Sequence, residues 1–198
     1  YVYNGNYGDN KVKFGAYYGG SSKRSMKNLD LANKRKNAWG TGLIFNHAID
    51  SIQNVTVAAG FTREISENAN NTAYYRNAYG LGLAYNFVHT TYGLDLERQV
   101  TKNQGDKRTK NEVRAIVRQG LNEDWNVYAM YAYKTDKQFG DTDRTRQFMV
   151  GTEYYVYNQG SLKVKPFLEW QATRTKYENS TVDRSRDFKT VIGLRAYW

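Results

Sequence analysis

Basic residues spaced by two or four positions carry the chemistry this sequence offers. Arg114 and Arg118 stand either side of Ile116, and Lys163 and Lys165 either side of Val164. In an extended strand residues i and i+2 share a face, so each pair presents two cations to one surface. The same alternation places Lys11, Lys13, Arg76, Lys134, Lys189 and Arg195 on the equivalent face of their own segments. It brings Glu64, Asp95, Glu97, Glu112, Glu153 and Glu169 to that face as well. A face this charged cannot be a dry core, because unpaired charges are too costly to bury. It needs water or mutual pairing. Rows of cations offer successive weak docking points to a solute carrying several negative charges. Structural salt bridges that brace acidic against basic walls are the competing role.

Other chemistry is poorly supported. His47 and His89 fall near turns with no serine or acid positioned beside them. Asp141 and Asp143 have the look of an acid pair but lie in a polar stretch where solvated carboxylates are expected. Asp9, Asn10 and Asp183 read as turn residues, and no cluster has metal-ligand spacing. The glycine-rich stretches lack the Lys-Ser/Thr that a phosphate loop requires. No catalytic residue, metal or cofactor is expected.

Ten segments with period-two alternation position these charges: 11–19, 38–47, 54–62, 75–88, 91–100, 112–121, 125–134, 146–157, 162–173 and 188–198. Residues 1–7 read as the end of a further strand, followed by a turn at Gly8-Asp9-Asn10. The faces opposite the charges are apolar and aromatic, as in Leu81, Leu83 and Tyr85 or Val127, Ala129 and Tyr131. Short turns are expected near Asp50, His89, Glu123 and Gln159, and longer polar loops at 20–37, 65–74, 101–111, 135–145 and 174–187. Pro166 removes a ladder hydrogen bond, so a bulge or local widening is expected there.

The last segment alternates to the end: Phe188, Thr190, Ile192, Leu194, Ala196 and Trp198 share a face. Phe188 and Trp198 stand ten residues apart, roughly 33 Å along a strand. Tilted, that spans roughly 25 Å, the height of a barrel's apolar band. A strand closed by a terminal aromatic resembles the C-terminal strand of bacterial outer-membrane β-barrels, which the barrel-assembly machinery reads.

Composition agrees. The chain has 198 residues, no cysteine and one proline, with 18 Tyr, 8 Phe and 4 Trp. Tyr and Trp favour water–lipid interfaces. The mean hydropathy of -0.80 does not argue against a membrane, because only half of each strand meets lipid. The first residue is Tyr1 and no signal peptide is seen, so a mature or trimmed chain is expected. The net charge of +10 admits nucleic acid, acidic lipid or an anionic solute. Basic groups on an inner face favour the solute, and no nucleic acid is expected. Lys23, Arg24, Lys27, Lys34, Arg35 and Lys36 in the first loop suit phosphorylated headgroups, including lipopolysaccharide. Arg63, Arg98 and Arg174, at loop ends on the apolar face, are expected to snorkel to the same level.

The size, the basic inner face, the aromatic C-terminal strand and the segment 121–128 (LNEDWNVY) resemble the small monomeric porins for acidic oligosaccharides, the oligogalacturonate and sialic-acid channel family. That resemblance implies twelve strands, two basic tracks along the pore and a monomer. The expectation is a single-domain, all-β, antiparallel transmembrane β-barrel of 10–12 strands over residues 1–198, in the bacterial outer membrane. It would pass small anionic solutes by passive diffusion. The alternative is an accessory barrel with a blocked lumen and basic loops that bind lipid or a partner.

Overall fold

The computed structural model describes residues 1–20, 33–68, 73–103, 105–159, 162–181 and 183–197. Every regular element among them is a strand. In chain order these are β1 (Val2–Tyr7), β2 (Asn10–Gly20), β3 (Asn33–Ala48), β4 (Gln53–Asn68), β5 (Ala73–Phe87), β6 (Thr90–Asn103), β7 (Asp106–Gly120), β8 (Trp125–Gln138), β9 (Asp141–Tyr154), β10 (Tyr157–Gln159), β11 (Leu162–Lys176) and β12 (Arg184–Tyr197). They form one antiparallel meander in which each strand pairs with its sequence neighbours, except that β9 and β10 both pair with β11 and not with each other.

β9 and β10 lie end to end along β11, so twelve segments occupy eleven strand positions. Pro166 explains the break. It cannot donate to the strand beside it, and Tyr155 and Val156, opposite it, leave the ladder. The register slips by one residue, from Phe167↔Glu153 to Val164↔Tyr157, which is the expected bulge. The amide N of Val156 rejoins β11 by donating to the Val164 carbonyl at 3.0 Å.

The strands run further toward the long-loop side than hydropathy indicates. β6 and β7 stay paired out to Asn103 and Asp106, and β8 and β9 meet across the two residues Phe139-Gly140, whose φ angles are 53° and 97°. Paired positive φ values make the tight hairpin turn that matches strand twist. The stretches 101–111 and 135–145 are therefore mostly strand. Residues 23, 24, 27 and 198 lie outside the described residues.

The sheet has one charged and one apolar face. Ala38 and Ala132 are the only buried apolar residues among those described. Leu43, Leu81, Leu83, Leu94, Phe148 and Leu168 are all more than a third exposed on the apolar face. A soluble protein does not leave so continuous an apolar surface in water. Aromatic rings cluster at both ends of that face. Phe61 sits 5.0 Å from both Trp39 and Tyr79 toward the loop side, and Tyr85 stacks 6.4 Å from Tyr92 near the turns.

The sheet is not closed. Among the described residues β1 pairs only with β2, and β12 only with β11. Both edge strands run toward the short-turn side, so they cannot pair with one another antiparallel.

Candidate functional site

Strand register brings the charged residues together. On one face Gly80, Glu97, Glu112, Lys134 and Thr145 stand opposite one another from β5 to β9. All ten basic positions expected from the alternation fall on this face, as do the six acidic ones. A cavity of about 570 Å³ borders it, lined from β3 through β9 by residues that include Gly60, Ala78, Glu97, Glu112, Lys134 and Thr145. Lining by strands so far apart in the sheet makes this the inner face.

The densest cluster draws on five strands. Glu153 of β9 is 3% exposed. Its carboxylate accepts from Lys165 Nζ of β11 at 3.1 Å, from Arg195 Nη1 of β12 at 2.9 Å, and from Arg118 of β7. Arg195 also donates to Glu169 at 2.8 Å, and Tyr128 of β8 donates its hydroxyl to the same carboxylate at 2.7 Å. Aromatic faces complete the site. Lys165 Nζ lies 4.7 Å from the Tyr155 ring centre, and the Arg195 guanidinium 4.1 Å from that of Phe167. Missing side chains make room for the rings. A Cβ on Gly151 would stand 2.5 Å from the Tyr128 ring, and one on Gly193 would stand 2.4 Å from Phe167.

A second cluster centres on Glu112, which accepts from Arg114 at 2.7 Å and Lys134 at 3.2 Å. Arg114 reaches Asp95 at 3.7 Å, and Arg76 reaches Glu64 at 3.7 Å. Thus Arg76, Arg114, Arg118, Lys134, Lys165 and Arg195 are ion-paired, whereas Lys11, Lys13, Lys163 and Lys189 meet no carboxylate among the described residues.

The register adds residues to this face that the hydropathy pattern leaves in loops. Arg108 grips Asp136 with two hydrogen bonds of 2.8 and 2.6 Å, and Lys110 approaches the same carboxylate at 3.5 Å. The signal was present, since Arg108 and Lys110 continue the alternation of Glu112 and Arg114 one turn of the pleat further. Asp106, Asp141, Asp143 and Asp187 also take inward register positions near the loop ends of their strands. Asp143 accepts from the Glu178 amide at 3.2 Å and Asp141 from Asn179 at 3.2 Å, so both fasten the connection after β11. His47 bonds Asn10 at 2.8 Å.

The inner-face charge is therefore polarised. Within three residues of the short-turn strand ends stand Lys11, Lys13, Arg118, Lys163, Lys165 and Arg195, against Glu153 alone. Within three residues of the opposite ends, among the described side chains, Asp106, Asp136, Asp141, Asp143 and Asp187 stand against Arg76 and Arg108. On the apolar face, Arg63 lies 5.4 Å from the Tyr75 ring centre, near the loop end.

No protein-family model and no curated protein matches the chain. Two solved structures share its fold. One is the anion-selective porin from Comamonas acidovorans, with a TM-score of 0.68 and 14% identity over 99% of this chain and 58% of the porin. The other is the outer-membrane expressed OmpT of Vibrio cholerae, with a TM-score of 0.54 and 11% identity over 100% of this chain and 80% of that one. The chain spans less than two thirds of the length of the porin. At this identity the likeness is one of fold, and the fold is that of an outer-membrane β-barrel. The resemblance to acidic-oligosaccharide porins holds at the level of a porin-like fold.

Proposed function

We propose that this chain forms the wall of a bacterial outer-membrane channel through which small anionic solutes diffuse, with acidic oligosaccharides favoured over neutral ones. The observation that carries this is the polarised inner face: six cations against one carboxylate within three residues of the short-turn ends, with Lys11, Lys13 and Lys163 meeting no carboxylate among the described residues. Charges beside a low-dielectric wall focus field lines and concentrate counter-ions. Spread over several strands, they give weak sites in series, which suits a chain of carboxylates better than one small anion. The likeness in fold to an anion-selective porin supports the same reading. A hydrocarbon environment does not tolerate free sheet edges. The edges of β1 and β12 run in parallel, so closure of the working barrel requires either a parallel pairing of these edges or further strands between them.

The Glu153 cluster favours a second reading. Three cations converging on one buried carboxylate are also what a brace across a blocked lumen requires. Liposome swelling separates the two. Acidic di- or trisaccharides should enter faster than neutral sugars of equal size. The preference should fade as salt rises, since exposed charges are screened within about 10 Å at 0.1 M. Equal rates at low salt would reject the acidic-sugar preference. No entry of any solute would establish the blocked barrel.

A further inference from the structure

The register of β9, β11 and β12 creates a second basic surface, on the apolar side of the sheet. Arg174 stands directly opposite Arg146 on one neighbour and Arg186 on the other. One pleat nearer the loops, Lys176 stands opposite Arg144 and Arg184. All six side chains are exposed. None meets a carboxylate among the described residues. Of the acids close to them in sequence, Glu178 accepts from the Thr142 amide, and Asp143 and Asp187 take register positions on the other face.

Like charges directly opposite on paired strands repel, with Cβ atoms about 5 Å apart. Two such rows, roughly 7 Å apart along the strand, have no internal counter-charge. They call for an external polyanion. What lies beneath them says which kind. The next rows toward the bilayer hold Phe148, Ala172 and Phe188, then Val150, Trp170 and Thr190. Trp170 stacks 6.1 Å from Phe188 and meets Phe148 edge-on at 6.4 Å. Cations above an aromatic, lipid-facing patch fit an amphiphile and not a soluble anion.

We infer that the outward rows Arg146–Arg174–Arg186 and Arg144–Lys176–Arg184 bind the phosphorylated headgroup of an outer-leaflet glycolipid whose acyl chains lie over Phe148, Trp170 and Phe188. The guanidinium groups form charge-assisted, paired hydrogen bonds to phosphate oxygens. The site is independent of solute passage, since it lies on the opposite face from the charged lumen wall. It rests only on the chain residing in the outer membrane.

The test is native mass spectrometry of the detergent-solubilised protein, titrated with bis-phosphorylated lipid A, with the same lipid dephosphorylated, and with inorganic pyrophosphate. Lipid A should bind at least about tenfold more tightly than either of the others. Equal binding of the dephosphorylated lipid would overturn the phosphate contacts, and pyrophosphate binding as tightly as lipid A would overturn the lipid as occupant. The triple variant Arg146→Gln/Arg174→Gln/Arg186→Gln should lose lipid A affinity by about tenfold or more. Without lipid its melting temperature should equal or exceed that of the parent, because the repulsion is relieved. Undiminished affinity in that variant would refute the site. Should the variant not fold, the comparison of the three ligands on the parent protein decides.

Discussion

Glu153→Gln is the sharpest probe of the inner face, because one carboxylate there balances Arg118, Lys165 and Arg195. Glutamine keeps the shape and one acceptor but removes the charge. Removing a unit charge about 8 Å from a passing ion changes its energy by about 0.5 to 1 kcal/mol at an effective dielectric between that of water and that of a protein surface. The effect has opposite sign for anions and cations. Screening at 0.1 M roughly halves it, so the anion-to-cation permeability ratio should rise about twofold to fivefold. Reversal potential across a planar bilayer under a KCl gradient measures this ratio. Stability should fall at the same time. Glu153 and Lys165 are both buried, at 3% and 5% exposure, and breaking a buried pair by removing one partner costs about 3 kcal/mol or more. Arg118 and Arg195 are more than a third exposed, so water recovers part of what they lose. The heat-induced gel-mobility shift should therefore occur at lower temperature. A folded variant with unchanged selectivity, or with selectivity moved toward cations, would refute the assignment of this cluster to the ion path.

Replacing Arg114 and Arg118 together by glutamate should move the reversal potential toward cations, since it also leaves Glu112 and Glu153 beside new carboxylates. An unchanged potential with conductance intact would remove both residues from the conduction path. Gly151→Ala places a methyl group 2.5 Å from the Tyr128 ring. It should displace the ring, break the 2.7 Å bond to Glu169 and destabilise the barrel by about 1 to 3 kcal/mol. A thermal unfolding transition equal to that of the parent would show that the ring does not pack there.

Facing was legible in the sequence because a strand's side chains alternate with no other freedom. Once Leu81, Leu83 and Tyr85 are assigned to the apolar side, the facing of Arg76 and Gly80 follows. The bulge beside Pro166 was legible for an equally local reason, the missing N–H. Strand ends were not. Beyond the apolar band the outward residues become Arg98, Lys137 or Arg146, so hydropathy stops alternating while the ladder continues to the two-residue turn at Phe139-Gly140. The partners were not legible either. Arg118, Glu153, Lys165 and Arg195 come from four strands, and which cation meets which acid depends on how those strands slide against each other. The outward rows arise in the same way. Arg174 and Arg186 fall in the loop expected at 174–187 and Arg146 at the start of a strand segment, and nothing connects the three until pairing sets them side by side. Local geometry decides which way a side chain points. Only the long-range register, set by hydrogen bonds between distant segments, decides what it faces.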